Sequence, residues 1–233
     1  MPDSDDLHRP APLPADEPER LRTLHLQRIL DTAAEGAFDD LVRLAALVCE
    51  TPIAAISLVD EHRQWFKAEV GLGIRSTPRD VAFCAHAVLG KDLLVVGDAA
   101  ADPRFRHNPL VTDDPKIRFY AGAPIVLQNG IALGTVCVID RKPRVLSGSQ
   151  LEALQLLRQI AANLIELRRA RLHVDAMAKL LPVCSWCHSV ETASGAWVDL
   201  HRYVEASVPV THGMCPTCMA RELKQMQPRP PGR

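Results

Sequence analysis

The 233-residue chain lacks the features that would tie it to a charged polymer or a lipid bilayer. Its 27 lysines and arginines face 28 acidic residues for a net charge of -1, which argues against a protein that coats nucleic acid or anionic lipid. No apolar run approaches the roughly 20 residues of a membrane helix. The acidic, proline-bearing start MPDSDDLHRPAPLPADEPER does not have the pattern of a secretory signal. Aromatics make up only 4%. No internal repeat, glycine-rich phosphate loop, Ser-His-Asp set, paired-carboxylate arrangement or kinase or cyclase signature stands out, which argues against an enzyme. The seven cysteines (Cys49, Cys84, Cys137, Cys184, Cys187, Cys215 and Cys218) are an odd number. Without an export signal they point to a reducing cytoplasm, with thiols free or bound to metal.

What is present is an ordinary globular composition, 47% hydrophobic and 24% charged, of a length suited to one medium domain and a smaller module. Residues 1–18 are rich in proline and acid and nearly devoid of apolar side chains, so a disordered leader is expected. Apolar residues recur at helical spacing over 19–31 and 35–50. The period then stops, and the β-branched run IAAISLV at 53–59 reads as a buried strand with a hairpin partner at 63–70. A glycine-bearing loop, a short helix from about Cys84 to Leu89 and a strand over 93–96 follow. Residues 97–117 form a long polar loop, of the length that commonly carries function. Strands are expected at 119–127 and 131–139, joined by a turn at Gln128, Asn129 and Gly130. The fold class is α+β, a mainly antiparallel sheet bracketed by helices.

A long helix is expected over 149–181, capped by Ser147 or Ser149 and stopped by Pro182. Along it, positions 153, 156, 160, 163, 167, 170, 174, 177 and 181 alternate spacings of three and four. They read Ala, Leu, Ile, Asn, Leu, Ala, Val, Met and Leu. A single Asn on such a seam fixes the register of a coiled coil, so this face is expected to meet a second copy of the chain, the alternative being a long helix packed wholly within its own chain. A second apolar stripe, Leu151 to Leu164, exists only in the first half and suits packing on the sheet.

Residues 19–173 resemble a GAF domain. The resemblance is carried by ERLRTLHLQRILDT, FDDLVRLAALVCETPIAAISLVD, RQWFKAEVGL, TPRDVAFCAHAVL, LVVGDAAADPRFRHNPLV, IRFYAGAPIV and GIALGTVCVIDRKPR. They are similar to sensory GAF domains placed ahead of bacterial histidine kinases and diguanylate cyclases. The resemblance implies a GAF-type antiparallel sheet, helices on one side forming a dimer bundle, and a small-molecule pocket roofed by loops on the other. The Asn-Lys-Phe-Asp-Glu type of motif of cyclic-nucleotide-binding members is absent, and Ala85 separates Cys84 from His86 where a bilin site wants Cys beside His. Neither cGMP nor bilin carries over, nor does the cysteine pattern of free methionine sulfoxide reductases.

Six of the ten aromatics fall between positions 65 and 120. An apolar-walled pocket with a few directed polar groups is expected there. The candidate ligand-binding residues are Trp65, Phe83, Cys84, His86, Asp98, Arg104, Phe105, Asn108, Arg118 and Tyr120. The plainer alternatives are core packing for the aromatics, and ion pairs or loop-fixing bonds for Asp98 and Arg104. Arg118 or Arg104 suits an anionic ligand through a planar two-pronged contact. Cys84 and His86, two apart on a short helix, do not share a face, so a catalytic Cys–His pair is not expected. Cys49 and Cys137 are expected to be inert buried thiols.

The sharpest motif is C-terminal: Cys184 with Cys187, then Cys215 with Cys218. Two such turns complete a closed, structural zinc site in a small zinc-ribbon-like module over 182–222, ahead of a loose tail at 223–233. His188 and His212 are backup ligands, and two redox-active dithiols are the rival reading. The segment resembles a short tail that follows sensory domains in some bacterial signalling proteins. The expected function is a non-enzymatic cytoplasmic sensor. A domain over 19–148 binds a small molecule or redox cue, and the dimer helix over 149–181 relays it to the zinc module, which contacts a protein partner. A nucleic-acid-associated regulator and a thiol redox enzyme are the alternatives.

Overall fold

The computed structural model describes residues 8–177, 182–184, 187–192, 194–207 and 219. The chain divides into two units, residues 1–174 and 175–233. The first opens with helices α1 (Glu17–Leu26) and α2 (Gly36–Cys49). Strands β1 (Ile53–Val59), β2 (Arg63–Val70) and β3 (Ser76–Pro78) follow, then helix α3 (Phe83–Ala87), strand β4 (Leu94–Val96) and helix α4 (Pro109–Thr112). Strands β5 (Phe119–Val126) and β6 (Ala132–Asp140) lead into the 30-residue helix α5 (Gly148–Met177). The six strands form one antiparallel sheet in the order β3-β2-β1-β6-β5-β4.

The run IAAISLV forms β1, whose two neighbours leave all seven residues buried. Alternation along each strand then divides the core in two. Ala54, Ile56 and Leu58 of β1, with Phe119, Ala121 and Ala123 of β5, pack against Phe38 and Val42 of α2 and Leu154, Leu157 and Ala161 of α5. Ile53, Ala55 and Val59, with Tyr120, Cys137 and Ile139, face a roof built by α3, the loop after β4 and α4. Helices thus lie on one face and the roof on the other.

β1 and β2 slip register between Ile56 and Ser57, and the pairing passes over Lys67. The bulged lysine is buried, and its ammonium meets Thr32 Oγ1 at 2.9 Å, the Ala33 carbonyl at 2.8 Å and Glu35 at 2.6 Å. Those three acceptors match its three donors, which is what makes a buried ammonium tolerable. Glu35 also receives Arg168 of α5 at 2.7 Å. In the β1–β6 pair, Gly134 lies opposite Leu58. A Cβ there would lie 1.8 Å from the Ser57 carbonyl oxygen, so the strands would have to part. Gly134→Ala is expected to destabilise the domain by about 3 kcal/mol, the upper range for forced overpacking. A urea titration followed by far-UV circular dichroism checks this.

Two expectations need correction. Of the leader expected over 1–18, residues 1–7 lie outside the described residues, and residues 8–18 are ordered. His8 Nε2 donates to the Asp80 carbonyl at 2.8 Å, Ala11 packs on the roof-side core, and α1 begins at Glu17. Glu17 is buried with Arg20 and Arg79, a charge cluster that a count of apolar residues does not register. The polar stretch 97–117 is not one plain loop either, because Asn108 caps the short α4 within it.

In the second unit, β7 (Val190–Glu191) and β8 (Trp197–Val198) form a small antiparallel hairpin turned at Gly195, whose φ is +79°. Helix α6 (Leu200–Ser207) follows. Residues 178–181 of the expected long helix, and the tail at 223–233, lie outside the described residues.

Candidate functional site

Alternation places Ser57 of β1, Thr135 and Cys137 of β6, and Tyr120 of β5 on the roof face of the sheet. Ser57 pairs with Thr135 and Ala55 with Cys137, while Cys137 pairs with Gly122 on the other side. Gly122 matters to the site: a methyl there would lie 2.1 Å from the Tyr120 hydroxyl. Without it, the phenol lies back along its own strand and donates to Cys84 Sγ of α3 at 3.3 Å. Thr135 Oγ1 donates to the same sulfur at 3.1 Å, and Cys84 and Cys137 stand sulfur to sulfur at 3.9 Å. Cys137 in turn reaches the Ala55 carbonyl at 3.6 Å. Ser57 Oγ is buried beside them with no partner in hydrogen-bond geometry.

This polar knot sits inside an apolar face. Burial alone would raise the Cys84 thiol, but its contacts with Cys137, Thr135 and Tyr120, with the nearby Ser57 hydroxyl contributing, outweigh it and bring the value to about 7. The hydrogen bond to Cys84 pushes Cys137 well up, with burial adding to it, and burial together with the nearby sulfurs does the same to Tyr120. Cys49 lies on the helix face of the sheet, where burial raises it to about 11 and leaves it inert.

The expected pocket residues separate into three groups. Phe83, Cys84, Phe105 and Tyr120 meet under the roof. Phe83 and Phe105 stack at 4.1 Å, Tyr120 tilts against Phe83 at 5.2 Å, and the His86 ring meets Phe105 edge-on at 4.8 Å. Burial lowers His86 to about 4, with Arg104 and His8 contributing, so its imidazole is neutral at pH 7; its Nε2 is buried without a partner. Asp98, Arg104 and Arg118 lie nearer the surface and Asn108 is buried, and each is committed to a neighbour. Arg118 grips Asp98 through two bonds of 2.8 and 2.7 Å, and Arg104 grips Asp102 at 3.0 and 2.6 Å. Asn108 accepts from the Leu110 amide and donates to the Val81 carbonyl, both at 2.9 Å, pinning α4 to the start of the roof. In each arginine the Nε–Nη2 edge already holds a carboxylate in the planar two-pronged mode, so an anion using that edge would have to displace it.

Trp65 is not part of this group. It pairs with Leu58 and belongs to the helix-side core, while its neighbour Phe66 faces the roof. Sequence proximity to the other aromatics suggested the pocket; strand alternation puts the indole on the opposite face. The converse omission is Cys137, read as an inert thiol, together with Thr135 and Ser57. Their signal is the lone serine in the run IAAISLV and, in ALGTVCVID, the threonine two positions before Cys137.

Of the four expected zinc ligands, Cys184 and Cys187 lie among the described residues, and Cys215 and Cys218 do not. The first pair has a tight knuckle. The Cys184 amide donates to the Ser189 carbonyl at 2.8 Å, the His188 amide returns to the Cys184 carbonyl at 2.9 Å, and His188 adopts a φ of +59°. Hydrogen bonding to Ser189, then the Cys184 thiol, holds the Cys187 thiol below its usual range. A turn that closes on itself around two neighbouring thiols fits half of a tetrahedral sulfur site. Among the described residues no group of three or more metal-binding side chains is assembled.

A family model described as GAF domain matches residues 33–168. A cyclic di-GMP phosphodiesterase of Pseudomonas aeruginosa is 49% identical over 133 residues, which are 57% of this chain and 23% of that protein; the chain therefore spans about a quarter of that relative's length. Among solved structures, the GAF domain of an Acinetobacter phosphoenolpyruvate-protein phosphotransferase is 18% identical, with a TM-score of 0.49, over 70% of this chain and 97% of that one. The blue-light-absorbing PixJ GAF domain of Thermosynechococcus elongatus is 16% identical, with the same TM-score, over 70% and 95%. No helix among the described residues is long and apolar enough to cross a membrane. With more than half its length matched by the family model, the chain belongs to the GAF domain family.

Proposed function

We propose that this chain is a cytoplasmic, non-enzymatic sensor that works as a homodimer. The roof-side site receives a small molecule or a redox cue, α5 relays the change, and a C-terminal zinc module passes it to a protein partner. The observation that carries the reading is the double character of α5. Leu154, Leu157, Ala161 and Ile165 are buried on the sheet, while Leu156, Ile160, Leu167 and Val174 are exposed at heptad spacing around Asn163. One face feels the domain and the other is left for a second copy. Three contacts tie α5 to the sheet side of the domain. Arg168 reaches Glu35, which holds Lys67 of β2; Arg158 donates to the Pro124 and Lys91 carbonyls at 3.2 and 3.0 Å; and Glu166 accepts the Gln128 amide at 3.0 Å. A cue that shifts these strands or the roof therefore has a physical route to the dimer face, provided it favours one of two helix packings.

Cys184, Cys187, Cys215 and Cys218 would hold the zinc, supplying the folding energy that a module of this size lacks on its own. The similarity to a segment of a cyclic di-GMP phosphodiesterase supports a place in nucleotide signalling, with the partner's activity as the output. Native mass spectrometry of the purified full chain tests the reading. The expected species is a dimer carrying one zinc per chain, with additional mass where a small molecule has co-purified. A metal-free monomer whose C-terminal thiols are paired as disulfides would overturn both the dimer seam and the zinc module.

A further inference from the structure

The Cys84–Cys137 pair offers chemistry that ligand binding alone does not use. Two thiols from different elements, α3 and β6, stand 3.9 Å apart, and each is almost wholly buried, at 2% and 1% exposure. Tyr120 and Thr135 donate to Cys84 at 3.3 and 3.1 Å, whereas Cys137 faces the Ala55 carbonyl, an acceptor, so the two sulfurs are unequal and Cys84 is the one set up as a nucleophile. A disulfide needs the sulfurs at about 2.05 Å. α3 spans five residues, so the missing distance can come from a small shift of one short roof helix rather than from the sheet.

We propose that Cys84 and Cys137 form an intramolecular redox pair that a small neutral peroxide converts to a disulfide. The Cys84 thiolate attacks one oxygen of hydrogen peroxide, the O–O bond breaks, and hydroxide leaves and takes a proton to become water. Cys84 is then a sulfenic acid. The Cys137 sulfur attacks the Cys84 sulfur, the S–O bond breaks, and the hydroxyl departs as water with the Cys137 proton. Two thiols have lost two electrons and two protons, and one peroxide has become two waters. Both sulfurs are almost wholly buried, so an oxidant about the size of water is favoured. That selects peroxide over bulky disulfides such as oxidised glutathione.

This deepens the redox side of the sensor reading and depends on it only for the consequence. α3 is followed within four residues by Lys91, whose carbonyl receives Arg158 of α5 at 3.0 Å. Drawing α3 toward β6 therefore pulls on the helix that carries the dimer seam.

The test treats the full chain with hydrogen peroxide, blocks remaining thiols by alkylation under denaturing conditions, and maps the peptides by mass. The expected result is a Cys84–Cys137 linked peptide, lighter than the two thiol peptides by two hydrogens. It should rise from absent to the dominant form, be removed by dithiothreitol, and fail to form in either Cys84→Ser or Cys137→Ser. Oxidised glutathione at equal concentration is expected to leave both thiols free. Sulfinic acid at Cys84 beside a free Cys137, a link to Cys49 instead, or two unmodified thiols would overturn the proposal. The mapping uses the unmodified chain, so it stands even where a variant does not fold. Amide hydrogen exchange of α5 separates the two readings: a disulfide formed without any change in α5 keeps the thiol chemistry and removes the relay, whereas no disulfide removes this pair and leaves ligand sensing as it was.

Discussion

Glu17→Ala is expected to cost the domain about 3–5 kcal/mol, the range for removing one partner of a buried ion pair. Arg20 is 1% exposed, and its Nε and Nη2 both bond Glu17, at 2.7 and 2.8 Å, while Nη1 has no partner. Arg79 donates to the same carboxylate at 2.5 Å but also to the Asp60 and Glu61 carbonyls, at 3.0 and 3.4 Å. Alanine at 17 therefore leaves Arg79 partly satisfied and Arg20 a buried charge with nothing opposite it. For a domain near 170 residues the loss lowers the melting temperature by roughly 10 °C. The double variant Glu17→Met with Arg20→Met removes both charges and is expected to recover most of the loss, because a pair replaced by apolar side chains is often neutral. Calorimetry of the three proteins decides this. Equal losses in the single and double variants would mean that packing, not charge, holds the site.

The same carboxylate predicts a pH dependence. Burial acts to raise the Glu17 value, but the hydrogen bonds and charges of Arg20 and Arg79 win and hold it below the ordinary 4.5. A group depressed in the folded state contributes stability that is complete above its unfolded value and is lost as pH falls through the folded one. The wild-type chain should thus lose stability between about pH 5 and the acid limit more steeply than Glu17→Ala, whose curve lacks this component.

The position of Glu17 also shows where reading the sequence stops working. Periodicity found β1, β2 and the helix layer, because a strand buried on both faces and a helix buried on one leave patterns of period and run length. It failed at residues 8–18, where order comes from one carboxylate reaching Arg79, 62 residues away, and from His8 reaching Asp80. No local pattern encodes a pairing of that span. Trp65 failed for a related reason. Its face is set by the β1–β2 register, and the bulge at Lys67 breaks the simple alternation from which faces are counted. The site was legible as a region and not as an arrangement. Phe83, Cys84, Phe105 and Tyr120 do meet under the roof, yet the contact that gives them chemistry joins Cys84 to Cys137 across 53 positions. Arg104 and Arg118 suit an anion in the sequence, with an ion pair as the plainer alternative at Asp98 and Arg104; which carboxylate meets which arginine, Asp102 with Arg104 and Asp98 with Arg118, is decided by how the loop folds.

Replacing Leu156 and Leu167 together by glutamate is expected to turn a dimer into a monomer without unfolding the domain. Both side chains are largely exposed, at 57% and 65%, so in the isolated domain they hold nothing in place. In the proposed dimer each is buried twice, once per chain. At about 1.5 kcal/mol for each leucine, the low end for full burial, the four side chains supply about 6 kcal/mol. That corresponds to a rise in the dissociation constant of about 10⁴-fold. Charge repulsion across the seam adds to it. Leu154→Glu is the contrasting variant: its side chain is fully buried against the sheet, so it should unfold the monomer rather than separate two folded ones. Asn163→Leu supplies the third arm, because a polar residue on a seam costs stability and fixes register; its loss should tighten association while admitting more than one alignment. Sedimentation equilibrium with circular dichroism reads all three. If the wild-type chain sediments as a monomer, or if the double glutamate variant remains dimeric, the exposed row on α5 is not the dimer seam, and the relay proposed through it loses its dimer output.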